Sequence, residues 1–211
     1  MDDSDEVEGD AAPLVEIRTL GGFSLAVGGM PLGFPRKAPR RPLSLLKAIV
    51  ALGHPAVCEH RLTDALWPDA EADAAHQAFN MALHRLRKLL GRHDAVVLRD
   101  GRIYLDCRLC WVDACALERL AAGAGPRDAD PAQALRQVLE LYRGDFLADD
   151  EEPWVFAPRE RLRERFVRSV SHQAGRLEAA GRRPEALHFL HLAGEAAPRA
   201  FHREALRTAI G

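Results

Sequence analysis

The chain has 211 residues, 47% of them hydrophobic, with 29 Lys and Arg set against 31 Asp and Glu. That is enough apolar material for one large or two small globular domains, and it excludes a chain that is disordered throughout. Four cysteines at this length do not make a secreted disulfide scaffold. No apolar run reaches membrane-spanning length, and the N-terminus is acidic where a signal peptide is basic, so a cytoplasmic protein is expected.

The even charge hides a segregation. Residues 1–13 hold six acids and no base, and are expected to be a disordered tail. Residues 14–108 hold fourteen Lys and Arg against nine Asp and Glu, whereas residues 109–211 hold fifteen against sixteen. The positive field therefore belongs to the first part of the chain and points it at a polyanion.

In chain order, "LVEIRTLGGFSLAVGGMPL" (Leu14–Leu32) reads as short antiparallel strands with a tight Gly-Gly hairpin. "PRKAPRRP" is a basic loop carrying Arg36, Lys37, Arg40 and Arg41. Pro42 suits the first turn of a helix that stops at Gly53. A second short helix, "EHRLTDALW", ends at Pro68. The following loop carries Asp69, Glu71 and Asp73, with Asp73 placed to cap the next helix.

That next helix, "AAHQAFNMALHRLRKLLG" (Ala74–Gly91), is amphipathic. At 100° per residue Ala75, Phe79, Ala82, Leu83, Leu86, Leu89 and Leu90 fall in one arc. Gln77, Asn80, His84, Arg87 and Lys88 fall on the other side, with Arg85 and Arg92 at its flank. An ordinary exposed helix mixes acids with bases, because opposite charges four residues apart support it. Here no Asp or Glu occurs from Ala74 to His93. Beyond Gly91, Val96–Arg99 and Arg102–Leu105 read as two strands joined by Asp100-Gly101, a strong hairpin signal. Three helices followed by a hairpin is a winged helix-turn-helix order.

The remainder reads as helices: one from Trp111 to about Ala122, "PAQALRQVLELYRGDFL" up to Gly144, a long one from Pro158, then "RPEALHFLHLAGEA" and "FHREALRTAI". Leu162, Phe166, Val170, Ala174 and Leu177 form the buried side of the long helix. Short turns between helices suggest tetratricopeptide-like stacking, although no clean internal repeat is present. The fold expected is mainly α with small antiparallel sheets, a winged helix over 14–108 and a helical domain over 111–211.

The chemistry follows from residue types. A helix fits the roughly 12 Å major groove; Gln and Asn pair bidentately with adenine, Arg and Lys with guanine. Gln77, Asn80, His84, Arg85, Arg87 and Lys88 are candidates for that groove. Arg99 and Arg102 flank the hairpin tip, and Arg40 and Arg41 precede the first helix; both pairs suit phosphates. Cys107, Cys110 and Cys115 lack a fourth ligand at finger spacing, so a zinc site is not expected and two of them should pack as small hydrophobes. "DDEE" (Asp149–Glu152) lacks the spacing of a calcium loop. No nucleophile–base signature occurs, so neither an enzyme nor a cofactor is expected.

These segments resemble a known family. "VEIRTLGGFSLAVGGMPL", "LTDALWPDAEADAAHQAFNMALHRLRKLLG" and "LYRGDFLADDEEPWVFAPRERLRERFVRSV" look like bacterial regulators that join an OmpR-type winged helix to a bacterial transcriptional activator domain, as in the Streptomyces antibiotic regulatory proteins. The resemblance runs from Leu14 to the C-terminus. It implies double-stranded DNA and RNA polymerase as partners, with two copies on direct repeats and no membrane. It also implies that the loop holding Asp69, Glu71 and Asp73 touches polymerase. Relatives fused to a nucleotide-binding ATPase exist, but no GxxxxGK[ST] loop occurs here. The rival reading is a helical-repeat adaptor that binds a protein and not DNA.

Overall fold

The structure, a computed structural model, describes residues 14–33, 40–53, 56–123 and 130–198. The acidic tail 1–13, Arg36 and Lys37, the centre of the loop before Pro131 and the last expected helix lie outside the described residues.

The first sheet begins with β1 (Val15–Arg18), β2 (Ser24–Val27) and β3 (Met30–Pro31). β1 and β2 pair antiparallel with Val15 opposite Val27. Gly28 and Gly29, at φ of +57° and +77°, make the two-residue turn to β3, a left-handed pair that β-carbons disfavour. Helix α1 (Arg40–Leu52) starts two residues before Pro42 and ends where Gly53 follows. It is buried nearly all round, through Leu43, Leu45, Leu46, Ala48, Ile49, Val50 and Ala51. A helix apolar on several faces must be covered on several faces; α1 packs on α2, α3 and the later α6.

Strand β4 (Ala56–Cys58) was not expected. Three residues show no usable period; it forms because the hairpin offers it an open edge. Helices α2 (Glu59–Leu66) and α3 (Ala72–Leu90) follow. α3 is capped at its C-terminus by Gly91 in the left-handed region. Its N-cap is Glu71, not Asp73, which lies inside the first turn where a negative charge suits the helix dipole. The hairpin β5 (Val96–Arg99) and β6 (Arg102–Leu105) turns through Asp100 and Gly101, at φ of +50° and +66°. β4 pairs with β6, giving a three-stranded sheet of order β4-β6-β5.

The expected helix from Trp111 starts later. Cys110–Val112 is instead a strand, β7, paired parallel to β1 with Val15 opposite Cys110. Cys110 and Val112 face inward while Trp111 is half-buried, the alternation of a strand. The first sheet is thus mixed, with order β3-β2-β1-β7. Then come α4 (Asp113–Ala121), α5 (Pro131–Leu141), α6 (Pro153–Ala179) and α7 (Arg183–Ala196). α5 ends at Leu141, before Gly144. α6 begins at Pro153, so Pro158 lies inside it rather than at its start. The ring removes one N–H there, yet Pro158 is buried. Leu162, Phe166, Val170, Ala174 and Leu177 are all buried, as their spacing requires. α6 packs on α4, α5 and α7.

One continuous apolar core runs from β1 to α7. Polar and backbone groups tie the end of β1 and α1 to the turn between α5 and α6. Leu20 bridges Phe146, Gly21 N–H donates to Asp145 O at 3.1 Å, and Leu147 N–H donates to Thr19 O at 2.7 Å. Leu147 adopts φ +44° there, fully buried and held by that bond. Lys47 on α1 donates to both oxygens of Asp150 at 2.7 Å, so one acid of the Asp149–Glu152 turn is a structural partner.

Arg163, 8% exposed, donates from Nε to Asp145 at 2.9 Å and from Nη2 at 2.5 Å. The Tyr142 hydroxyl donates to the same carboxylate at 3.0 Å, and its ring stacks on Phe166 with centroids 4.0 Å apart. Burial alone would push the Asp145 carboxyl up, but the hydrogen bonds from Arg163 and Tyr142 hold it below its ordinary range.

Candidate nucleic-acid interface

The apolar arc of α3 is buried as its period demands: Ala75, Phe79, Ala82, Leu83, Leu86 and Leu90. The opposite side is open. Gln77, Asn80, His84, Arg85 and Lys88 are all exposed. On the wheel Gln77, His84 and Lys88 lie along its centre, with Asn80 towards one edge and Arg85 towards the other.

Arg87 stands apart from that set. It is half-buried, and its Nε donates to the carbonyl of Val96 at 2.8 Å. It therefore ties α3 to the first residue of the hairpin. Wheel position alone could not separate Arg87 from Asn80, because they lie about 20° apart; the hairpin packs on that flank and takes one of them.

Two further residues complete the face, and sequence reasoning missed both. Met81 is 55% exposed beside Gln77 and Arg85. The signal was an apolar residue at a polar wheel position. His76 links two helices: its Nδ1 lies 2.5 Å from Glu59 Oε1 on α2, and its Nε2 lies 2.9 Å from Asn80 Nδ2. Only the relative placement of α2 and α3 reveals that chain.

Around the helix, Arg99 and Arg102 are exposed at the hairpin tip and directly opposite each other in register. Asp100 lies 3.9 Å from Arg99, too exposed to cancel it. Arg40 is exposed. Arg41 is partly committed: it donates to Leu66 O at 3.3 Å and lies over the Trp67 ring at 5.8 Å. Arg92 pairs with Asp94 through two bonds of 2.8–2.9 Å. Asp69, Glu71 and Asp73 are all exposed, at the N-terminal end of α3.

Elsewhere the groups have structural surroundings. Burial pushes the Cys110 and Cys115 thiols up to about 12. Among the described residues no group of three or more His, Cys, Asp or Glu stands close enough to hold a metal, and no helix is long and apolar enough to cross a membrane. An open cleft of about 580 Å³ is lined by Arg18, Trp111, Arg119, Gln137, Glu140 and Arg143. Its lining has no nucleophile beside a base.

The geometry defines a mainly helical protein whose α3 exposes a face with no acid beyond Asp73 in its first turn, beside a hairpin. Comparison with known proteins shows what parts of it are similar to. Residues 112–210 match the bacterial transcriptional activator domain. Among solved structures, the chain is similar to Mycobacterium tuberculosis EmbR in complex with a low-affinity phosphopeptide, with a TM-score of 0.58 and 21% identity. That similarity covers 87% of this chain and 54% of the EmbR chain, so this chain spans about half the length of that protein. No curated protein matches it.

Proposed function

We propose that the protein is a sequence-specific DNA-binding transcriptional activator. In this reading residues 14–108 are a winged helix, α3 enters the major groove, and the β5–β6 hairpin is the wing. The helical part, residues 111–211, serves self-association or contact with RNA polymerase, and Asp69, Glu71 and Asp73 form a polymerase-facing loop.

The observation that carries the reading is the exposed face of α3. Gln77, Asn80, His84, Arg85 and Lys88 stand on it together, with one acid, Asp73, at its N-terminal end and the hairpin bonded alongside through Arg87. A packed helix that turns this face outward matches what base edges and phosphates require. The activator-domain match over 112–210 supports the assignment of the second part. Arg87 enters the proposal as a residue that seats the wing rather than as a free base reader.

Salt titration tests it. A protein neutralising several phosphates loses roughly 10³–10⁵ in affinity between 50 and 200 mM salt. Arg99→Ala, at the hairpin tip, should weaken binding to all duplexes alike and reduce the salt slope by about one. Wild-type affinity that ignores salt would overturn the proposal.

A further inference from the structure

On the reading that α3 enters the major groove, we propose that His76, held by Glu59, is a positioning residue that sets the side-chain amide of Asn80 to read an adenine.

Glu59 opens α2, and His76 and Asn80 lie one turn apart on α3. The Glu59 side chain is 18% exposed and that of His76 59%, so the chain runs from the protein outward to the face. A carboxylate only accepts hydrogen bonds, so the His76 nitrogen facing Glu59, Nδ1, carries the hydrogen. In the neutral ring Nε2 then holds a lone pair. Only the NH₂ end of Asn80 can meet it, and Nδ2 lies 2.9 Å away.

An exposed asparagine amide is otherwise free to turn over. Here one N–H is used on His76, which leaves one N–H and the oxygen Oδ1. That is one donor and one acceptor in fixed order. Adenine offers the complement in the major groove, an N7 acceptor beside an N6 donor. Guanine offers two acceptors there and would leave Oδ1 unmatched. Cytosine offers an amino donor, and thymine a carbonyl acceptor beside its methyl group. The fixed amide therefore favours adenine over the other three bases.

The experiment uses the full chain and a duplex selected by it from a random library. Each adenine of the selected site is replaced in turn by 7-deazaadenine, which lacks the N7 acceptor. At one adenine the replacement should weaken wild-type binding by roughly five-fold or more, and should not weaken Asn80→Ala further. His76→Ala should lose the adenine preference at that position to the same degree as Asn80→Ala. His76→Gln, whose amide can present an acceptor where Nε2 stood, should restore it. The inference is overturned if no adenine depends on Asn80, or if His76→Ala keeps the preference that Asn80→Ala loses. Failure of the wild type to bind any duplex at low salt would instead overturn the DNA-binding reading, and this inference with it.

Discussion

The carboxylate of Asp113 accepts hydrogen bonds from both the backbone N–H and the hydroxyl of Thr19, at 2.8–2.9 Å and 2.7 Å, across 94 positions of the chain. It also accepts from Leu20 N–H at 2.8 Å and Ala114 N–H at 2.7 Å. Both residues are essentially inaccessible. Burial pushes the Asp113 carboxyl up, against donors that pull it down. The arrangement pins the end of β1 to the start of α4, where the basic first part meets the helical second part.

Asp113→Ala would leave these buried donors without an acceptor. Unsatisfied buried groups cost about 1–3 kcal/mol each, so a loss of about 3–5 kcal/mol is expected. Asp113→Asn keeps one oxygen and should lose about half as much. Urea unfolding measures both; a loss below about 1 kcal/mol for Asp113→Ala would remove the latch from the account.

Gly21 is a second fixed point of the same junction. Its φ is +89°, and a β-carbon there would lie 2.8 Å from the backbone carbon and oxygen of Arg143. Neither side can move without breaking the bond from Gly21 N–H to Asp145 O. Gly21→Ala is expected to destabilise by about 2–4 kcal/mol. Gly28→Ala, where nothing lies within 4 Å of the added carbon, should cost less because only φ is strained. Equal thermal midpoints for the two variants would contradict the close approach.

Arg87 offers a prediction that separates structure from recognition. Its bond to Val96 O exists in the free protein. Arg87→Ala should therefore lower the stability of the protein without DNA by about 1–2 kcal/mol. Arg85→Ala, on the exposed flank, should leave that stability within about 0.5 kcal/mol of wild type. Denaturation of both variants without DNA decides the matter; an unchanged midpoint for Arg87→Ala would return that side chain to the groove.

The Asp145–Arg163 pair predicts an acid dependence. The folded protein holds the Asp145 carboxyl below its ordinary value of 3.8. Below its unfolded value the unfolded chain binds a proton that the folded one refuses. The pair's contribution is thus present above about pH 4 and is lost as pH falls through the folded value. Asp145→Asn should be less stable than wild type at pH 7, and the gap should narrow towards pH 2–3. Urea midpoints across that range test it, and a gap that widens on acidification would contradict the sign.

Much of this protein was determined by its sequence alone. The spacing from Ala75 to Leu90 decided which side of α3 is buried, because 3.6 residues per turn leaves no choice once the apolar positions are set. Asp100-Gly101 decided the hairpin, since few residue pairs adopt two left-handed conformations in succession. The exposed candidates Gln77, Asn80, His84, Arg85 and Lys88 were legible for the same reason.

What tertiary structure decided are the contacts between elements distant in sequence. β4 and β7 are three-residue strands with too little pattern to announce themselves, and each exists because another strand presents an open edge. Pro158 lies within α6 because the packing of a 27-residue helix outweighs one missing hydrogen bond. Arg87 and Asn80 occupy nearly the same wheel position, yet one meets the hairpin and the other meets His76. Local periodicity says which way a side chain points; only the folded chain decides what it finds there.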